Sequence, residues 1–225
     1  MENLLIVEIK KIESEDLIEA FGYNKENISF VQIGANDGEM DDPINKYVNS
    51  CGWSGIMVEP DFYYFEKLRN KYKDNKNVIC LNLGIGDGTI KTLFRINPSE
   101  IHTSNSKWEK WVSGMGTCVE DQLTHYDWID SKDIEQIKII TVPIMSILNN
   151  YKKLDLLLID AEGMDIEILN QLDLDNLQPN IIIFENDPIN NLPYNENSLN
   201  NLLSKFRKFN YNISKTSNHI ILDKQ

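Results

Sequence analysis

The chain has 225 residues, enough to bury one substantial core, and α/β chains of this size commonly fold as one domain, so a single domain over residues 1–225 is expected. It carries 22 Lys and Arg against 35 Asp and Glu, a formal charge of -13; that field argues against a nucleic-acid backbone as the main ligand, although helix-start N–H groups can hold a small anion. Cys51, Cys80 and Cys118 match no zinc spacing, the N-terminal apolar run is too short for a secretory leader and no run approaches the roughly 20 residues of a membrane span, so a soluble cytoplasmic protein is expected.

Apolar runs alternate with helical patterns, which predicts a mostly parallel sheet covered by helices. Residues 28–33 (ISFVQI) read as a buried strand, 43–52 (PINKYVNSCG) as a short helix started by Pro43 and stopped by Gly52, and 55–59 (GIMVE) as a second strand. The helix predicted over 61–75 spaces Phe62, Phe65, Leu68, Arg69 and Tyr72 by threes and fours, a stripe read mainly as core packing. A third strand, 77–82 (NVICLN), leads into a glycine turn at Asp87 and another extended piece ending at Ile96.

Residues 97–137 break the pattern. They hold Trp108, Trp111, Trp128, His102 and His125 without a clear period, and read as an insertion: either a lid that contacts substrate or a loop anchored by its tryptophans. Regular structure resumes with IKIITV (137–142) and LDLLLID (154–160), the clearest buried strand. A helix over 163–173, a fifth strand at PNIIIFEND (179–187) and a helix over 197–209 follow. The last segment, YNISKTSNHIILD (211–223), reads as an antiparallel hairpin.

Open α/β sheets bind ligands beyond the carboxyl ends of their strands. After the first strand comes Gly34-Ala35-Asn36-Asp37-Gly38, where the glycines permit sharp turns and Asn36 and Asp37 supply polar groups. A dinucleotide fingerprint would need glycine where Asn36 and Glu39 stand, and Asp41 and Asp42 add further negative charge. The loop therefore suits a cationic ligand, such as the sulfonium and ammonium groups of S-adenosylmethionine, better than a pyrophosphate. Glu59 ends the second strand 21 positions after Gly38, near the spacing at which an acid reaches ribose hydroxyls. Its competing reading is a helix start, because Pro60 and Asp61 follow.

Asp160 ends LDLLLID and Glu162 lies just beyond it, and Glu185 and Asn186 stand at the end of the fifth strand. These groups suit a base, a substrate anchor or, through Asp160, Glu162 and Glu185, ligands of a hard divalent cation such as Mg²⁺. Alternatively, Asp160 caps the following helix and Glu162 complements its dipole. Of the histidines, His102 and His125 are placed to reach a substrate and His219 is read as structural.

FVQIGANDGEMDDP, GWSGIMVEPD, TVPIMSILNNYKKLDLLLIDAEGMDIEIL and IIIFEN, in that order between Ile28 and Asn186, resemble the FkbM-type methyltransferases, which use S-adenosylmethionine and generally methylate hydroxyl oxygens, often of sugars. The resemblance implies an α/β class I methyltransferase fold: a Rossmann-like three-layer sandwich on a mostly parallel seven-stranded sheet ending in an antiparallel hairpin. By motif, Gly34, Asn36, Asp37 and Gly38 would surround the methionine part, Glu59 the ribose, and Asn82 with Leu83 the adenine edge, with Ala35, Pro60 and Asp160 also counted among the cofactor-binding residues; Asp160 and Glu162 would stand nearest the transferred methyl. Gln32 departs from the family, which often carries an acid two places before the first glycine. The expected partner is a small-molecule acceptor, a carbohydrate or sugar nucleotide, with homodimerisation left open. Two other classes stand beside this one: a nucleotide-sugar oxidoreductase using NAD, and a non-catalytic binding module on the same scaffold.

Overall fold

The computed structural model describes residues 7–8 (backbone only), 26–102, 107–119, 122–185, 196–216 and 218–225. Asn186 therefore lies outside the described residues.

Strand β1 (Val7–Glu8) is followed by β2 (Ser29–Ile33), helix α1 (Asn45–Ser50), β3 (Ser54–Val58), α2 (Phe62–Tyr72) and β4 (Val78–Leu81). Next come β5 (Gly84–Ile85), β6 (Ile90–Ile96), α3 (Pro98–Ile101), β7 (Ile134–Val142), α4 (Ile144–Leu148) and β8 (Leu156–Ile159). The chain ends with α5 (Asp165–Asn170), β9 (Ile181–Glu185), α6 (Glu196–Lys208), β10 (Tyr211–Lys215) and β11 (His219–Lys224).

The main sheet has the order β1-β10-β11-β9-β8-β2-β3-β4. Seven of these strands are the ones the sequence predicts, and the two-residue β1 adds an edge beside β10. β11 runs antiparallel to both β9 and β10, while β9, β8, β2, β3 and β4 are mutually parallel. The extended piece after Asp87 and the IKIITV segment leave this sheet and form a second one, β5-β7-β6.

Parallel central strands read as continuous apolar runs because both faces are covered. In β2, Val31 and Ile33 join a cluster with Ile159 of β8, Phe184 of β9 and Phe206 of α6. The alternate residue Phe30 packs on the opposite face with Met57, Leu158, Ile183 and, from α1 and α2, Tyr47, Leu68 and Tyr72. Two apolar layers thus enclose the sheet, and the C-terminal ends of β2, β3, β8 and β9 emerge along one edge.

Two local expectations change. Asp61 caps α2 by accepting from the Tyr63 N–H at 2.9 Å, and its buried face is Tyr64, Phe65, Leu68 and Tyr72. Phe62, expected in the core, is 61% exposed because it occupies the first helical position, and Arg69 turns outward to pair with Glu66 at 2.7 Å. Helix α1 begins at Asn45 rather than Pro43, since the Asp42 carboxylate accepts from the N–H groups of Ile44 and Asn45 and turns the chain into it.

Residues 97–137 have a core of their own. Ile96, Ile101, Trp108, Val112, Met115, Leu123 and Ile129 form a separate buried cluster, and Thr117 pairs with Phe94 of β6 by backbone hydrogen bonds of 2.8 and 3.0 Å. The absence of a period in the sequence reflects short 3₁₀ turns at 110–114, 123–125 and 131–133, of which the first two carry Val112 and Leu123, while the other cluster residues come from β6, α3 and the loops between.

Candidate functional site

The strand ends open into a cavity of about 420 Å³, within the range of small-molecule sites. Its walls include Gly34, Ala35, Asn36, Glu59, Pro60, Leu83, Asp160, Glu162 and Glu185. The structure therefore brings together nine of the residues singled out from the sequence.

Three others stand apart. Asp37 turns its carboxylate back to accept from the N–H groups of Glu39 and Met40 at 3.0 and 2.9 Å, so it shapes the loop and does not line the cavity. Gly38 faces α2, where an added Cβ would lie 2.7 Å from Leu68 Cδ1. Asn82 donates from Nδ2 to the carbonyls of Glu59 and Pro60 at 2.9 and 3.1 Å, bracing the end of β3 from behind. Asp37 and Asn82 support the site through backbone they hold in place, and Gly38 through the close approach of α2 that its missing side chain allows.

Glu59 joins two loops. Its Oε2 accepts the Asn36 N–H at 2.8 Å and its Oε1 accepts the Asp61 N–H at 2.8 Å. Burial pushes its carboxyl up to about 8, against the two N–H donors, with the nearby Asp61 and Asp160 carboxylates adding to the rise. Asn36, whose N–H meets Glu59, takes the left-handed φ of 46°, and Gly34 at φ 78° passes so close to Asp160 that no side chain fits between them.

Asp160 is open to solvent through the cavity but ringed by protein on its other sides. That enclosure, ahead of the Asp41 carboxylate, pushes its pKa up to about 6. It does not cap α5: the N-cap position is Met164, with no side-chain cap bond, and the acids of the first turn are Asp165 and Glu167. Glu162 takes φ of 45°, held there by its own carbonyl, which accepts from the Thr117 hydroxyl at 2.7 Å. One carboxylate oxygen each from Asp160, Glu162 and Glu185 lie within 4.8 Å of one another.

The histidines lie differently from what their sequence positions suggested. His102 stacks on Tyr63 at 5.8 Å and His125 sits in a 3₁₀ turn, both outside the cavity, whereas His219 lines it because β11 places it opposite Glu185. Sequence reading also passed over Arg95. Its guanidinium reaches Asp61 and Glu135, the latter at 3.0 and 3.1 Å, across the cavity wall. Burial works against its charge, but those carboxylates hold its pKa above the ordinary value. No sequence signal marked it, because its partners lie 34 and 40 positions away on other elements. The former insertion contributes Trp111, Ser113 and Tyr126 to the wall; Trp111 is 49% exposed and meets Trp128 edge to face at 5.7 Å, whereas Trp108 is 8% exposed and anchors the segment.

A seven-strand order with β11 inserted antiparallel between β9 and β10 defines an α/β fold of the class I methyltransferase type. A methyltransferase FkbM domain matches residues 32–213, and the chain belongs to that family. The methyltransferase FkbM from Methylobacillus flagellatus KT is similar over 94% of this chain and 48% of its own, with 13% identity and a TM-score of 0.54. This chain thus spans about half the length of that protein. The putative methyltransferase yhhF from Escherichia coli is similar over 94% of this chain and 85% of its own, at 11% identity and a TM-score of 0.48. For the precorrin-6y C5,15-methyltransferase from Geobacter metallireducens GS-15 the values are 100%, 97%, 12% and 0.47. The chain matches no curated protein. Among the described residues no helix is long and apolar enough to cross a membrane.

Proposed function

We propose that the protein is an S-adenosylmethionine-dependent O-methyltransferase acting on a hydroxyl of a carbohydrate acceptor. The observation that carries this reading is the junction at Glu59, which ties the Gly34–Asn36 loop to the end of β3 beside Asp160 on one cavity wall.

The residues present fit the cofactor. In its ionised form each Glu59 oxygen uses one lone pair on a backbone N–H and retains another for a ribose hydroxyl. Leu83, Ile85, Leu93 and Ile139 offer an apolar wall for a flat base. When bound, S-adenosylmethionine supplies a methyl group made electrophilic by its sulfonium. The acids at Asp41, Asp42 and Asp160 favour that positive charge and disfavour a pyrophosphate.

Asp160 receives the acceptor's hydroxyl proton. A carboxyl held near 6 is mostly ionised at neutral pH and is more basic than an ordinary carboxylate, so it can accept the proton. Positioning supplies the rest, and well-oriented reactants gain on the order of 7–11 kcal/mol. The half-exposed Trp111 and Tyr126, each packed against Trp128, offer aromatic rings on the cavity wall suited to a sugar. The same acids oppose the diphosphate of a sugar nucleotide, which favours an uncharged glycan as acceptor.

Calorimetric titration with S-adenosylhomocysteine tests the cofactor, with Glu59→Ala as control. Transfer of labelled methyl to a panel of neutral glycans tests the acceptor. A protein that binds no S-adenosylhomocysteine would refute the reading.

A further inference from the structure

We propose that Asp160, Glu162 and Glu185 form a binding site for a hard divalent cation, with Gln32 Oε1 as a neutral oxygen donor beside it. The three carboxylates arrive from separate pieces of backbone: the end of β8, the loop after it, and the end of the adjacent parallel strand β9. Their oxygens nonetheless converge within 4.8 Å. Three like charges at that range raise one another's energy unless protons or a cation intervene. A donor set made only of oxygen selects Mg²⁺, Ca²⁺ or Mn²⁺ over softer metals.

Gln32 points independently to the same ligand chemistry. It is 3% exposed, lines the same cavity, and its Oε1 has no hydrogen-bond partner among the described residues. Its amide faces the Asp42 carboxylate, which only accepts hydrogen bonds, so the NH₂ side turns to Asp42 and Oε1 is left as an acceptor without a donor. A buried acceptor in that condition is costly unless a ligand completes it. β2 and β8 are parallel neighbours pairing Gln32 with Leu158, so Gln32 shares the face of the residue two places before Asp160.

Cation binding stands on this geometry alone; its use in catalysis rests on the methyl-transfer reading. There, a cation at the ends of β8 and β9 would orient an acceptor hydroxyl and lower its pKa. One Asp160 oxygen would ligate while the other accepts the proton.

Terbium luminescence tests the site, because Tb³⁺ occupies oxygen-donor sites and tryptophan excitation sensitises it, with Trp111 on the same cavity wall. The wild-type protein is expected to give saturable emission displaced by Ca²⁺, Mg²⁺ or Mn²⁺. Glu185→Gln and Asp160→Asn, checked as folded by circular dichroism, should weaken Tb³⁺ binding at least about tenfold. Emission that persists in both variants, or is absent from a wild-type protein that binds S-adenosylhomocysteine, overturns the proposal; stabilisation by methylamine without Tb³⁺ binding also overturns it and assigns the carboxylates to an ammonium group. Tb³⁺ binding without S-adenosylhomocysteine binding would support the cation site while refuting the methyl-transfer reading.

Discussion

Gly34 and Asp160 meet through their main chains: a Cβ placed on Gly34 would stand 1.7 Å from the Asp160 carbonyl oxygen. The turn after β2 is thereby locked to the end of β8, and the Asp160 N–H in turn donates to the Ile33 carbonyl at 3.0 Å. The loop proposed to hold the cofactor and the acid proposed to accept the proton are fixed to each other by backbone alone.

Gly34→Ala should therefore be severe. Its φ of 78° disfavours any side chain, at about 1–2 kcal/mol, and overpacking against an immobile carbonyl costs about 1–3 kcal/mol more. A loss of about 3 kcal/mol in urea denaturation is expected. Gly52→Ala is the matched control: its φ is 69°, but the nearest atom to its added Cβ is 3.8 Å away, so only the backbone penalty of about 1 kcal/mol should appear. Equal losses in the two variants would contradict the contact.

Glu59 should set the slope of stability against pH. Its carboxyl is raised from 4.5 to about 8 in the fold. Between those values the native state holds a proton that the unfolded chain has lost, so stability falls as pH rises through the window; below it the penalty is absent. Asp160, raised to about 6, acts in the same direction over the lower part. Glu59→Gln removes the larger contribution but replaces one oxygen acceptor by a donor, leaving either the Asn36 or the Asp61 N–H unmatched at about 1–3 kcal/mol. The variant should be less stable than wild type at pH 5, with the gap narrowing toward pH 8 in thermal melts. A constant gap would show that Glu59 does not titrate in this range.

Local patterns carried the main sheet into the sequence. The run Leu156–Ile159 is apolar at every position because both faces are covered, and the polar turn before His219 marks the hairpin. Glu59, Asp160 and Glu185 were legible because strand ends follow directly from strand positions. What sequence hid was long-range. Arg95 belongs to the cavity only because β6 crosses to Asp61, Asp37 and Asn82 turn away because their side chains serve neighbouring backbone, and Gly38 is packed against α2. His219 reaches the cavity through antiparallel register with Glu185, which a hairpin's existence does not specify.

Removing Arg95 should damage the fold as well as the site. Its side chain is 15% exposed and Asp61, which it contacts, is 5% exposed, so Arg95→Met strands a buried carboxylate at the N-cap of α2. Breaking one partner of a buried pair costs about 3–5 kcal/mol; the Glu135 end is more open, which places the expectation near the lower figure. Lys132→Met, which removes a pair with Asp130 whose two side chains are 73% and 53% exposed, should change stability by less than about 1 kcal/mol. Chemical denaturation of both variants makes the comparison, and a similar small loss in each would show that Arg95 is solvated in solution.

Asp160 should impose an acidic limb on the proposed methyl transfer. A proton-accepting carboxyl raised to about 6 is increasingly ionised as pH rises through that value, so the rate at saturating S-adenosylmethionine should climb from pH 5 and level off near pH 7. Asp160→Asn removes the acceptor of the proton while keeping the shape, and should lower the rate by about 10²–10⁴-fold and flatten the limb. Affinity for S-adenosylhomocysteine should change much less, since Glu59 and the Asn36 loop remain joined. A cation held beside Asp160 favours its ionised form, so added Mg²⁺ should move the limb to lower pH in the wild type and leave Asp160→Asn unaffected. A limb that survives intact in Asp160→Asn would assign the proton transfer to another group on the cavity wall, with His219 the first to test by His219→Gln.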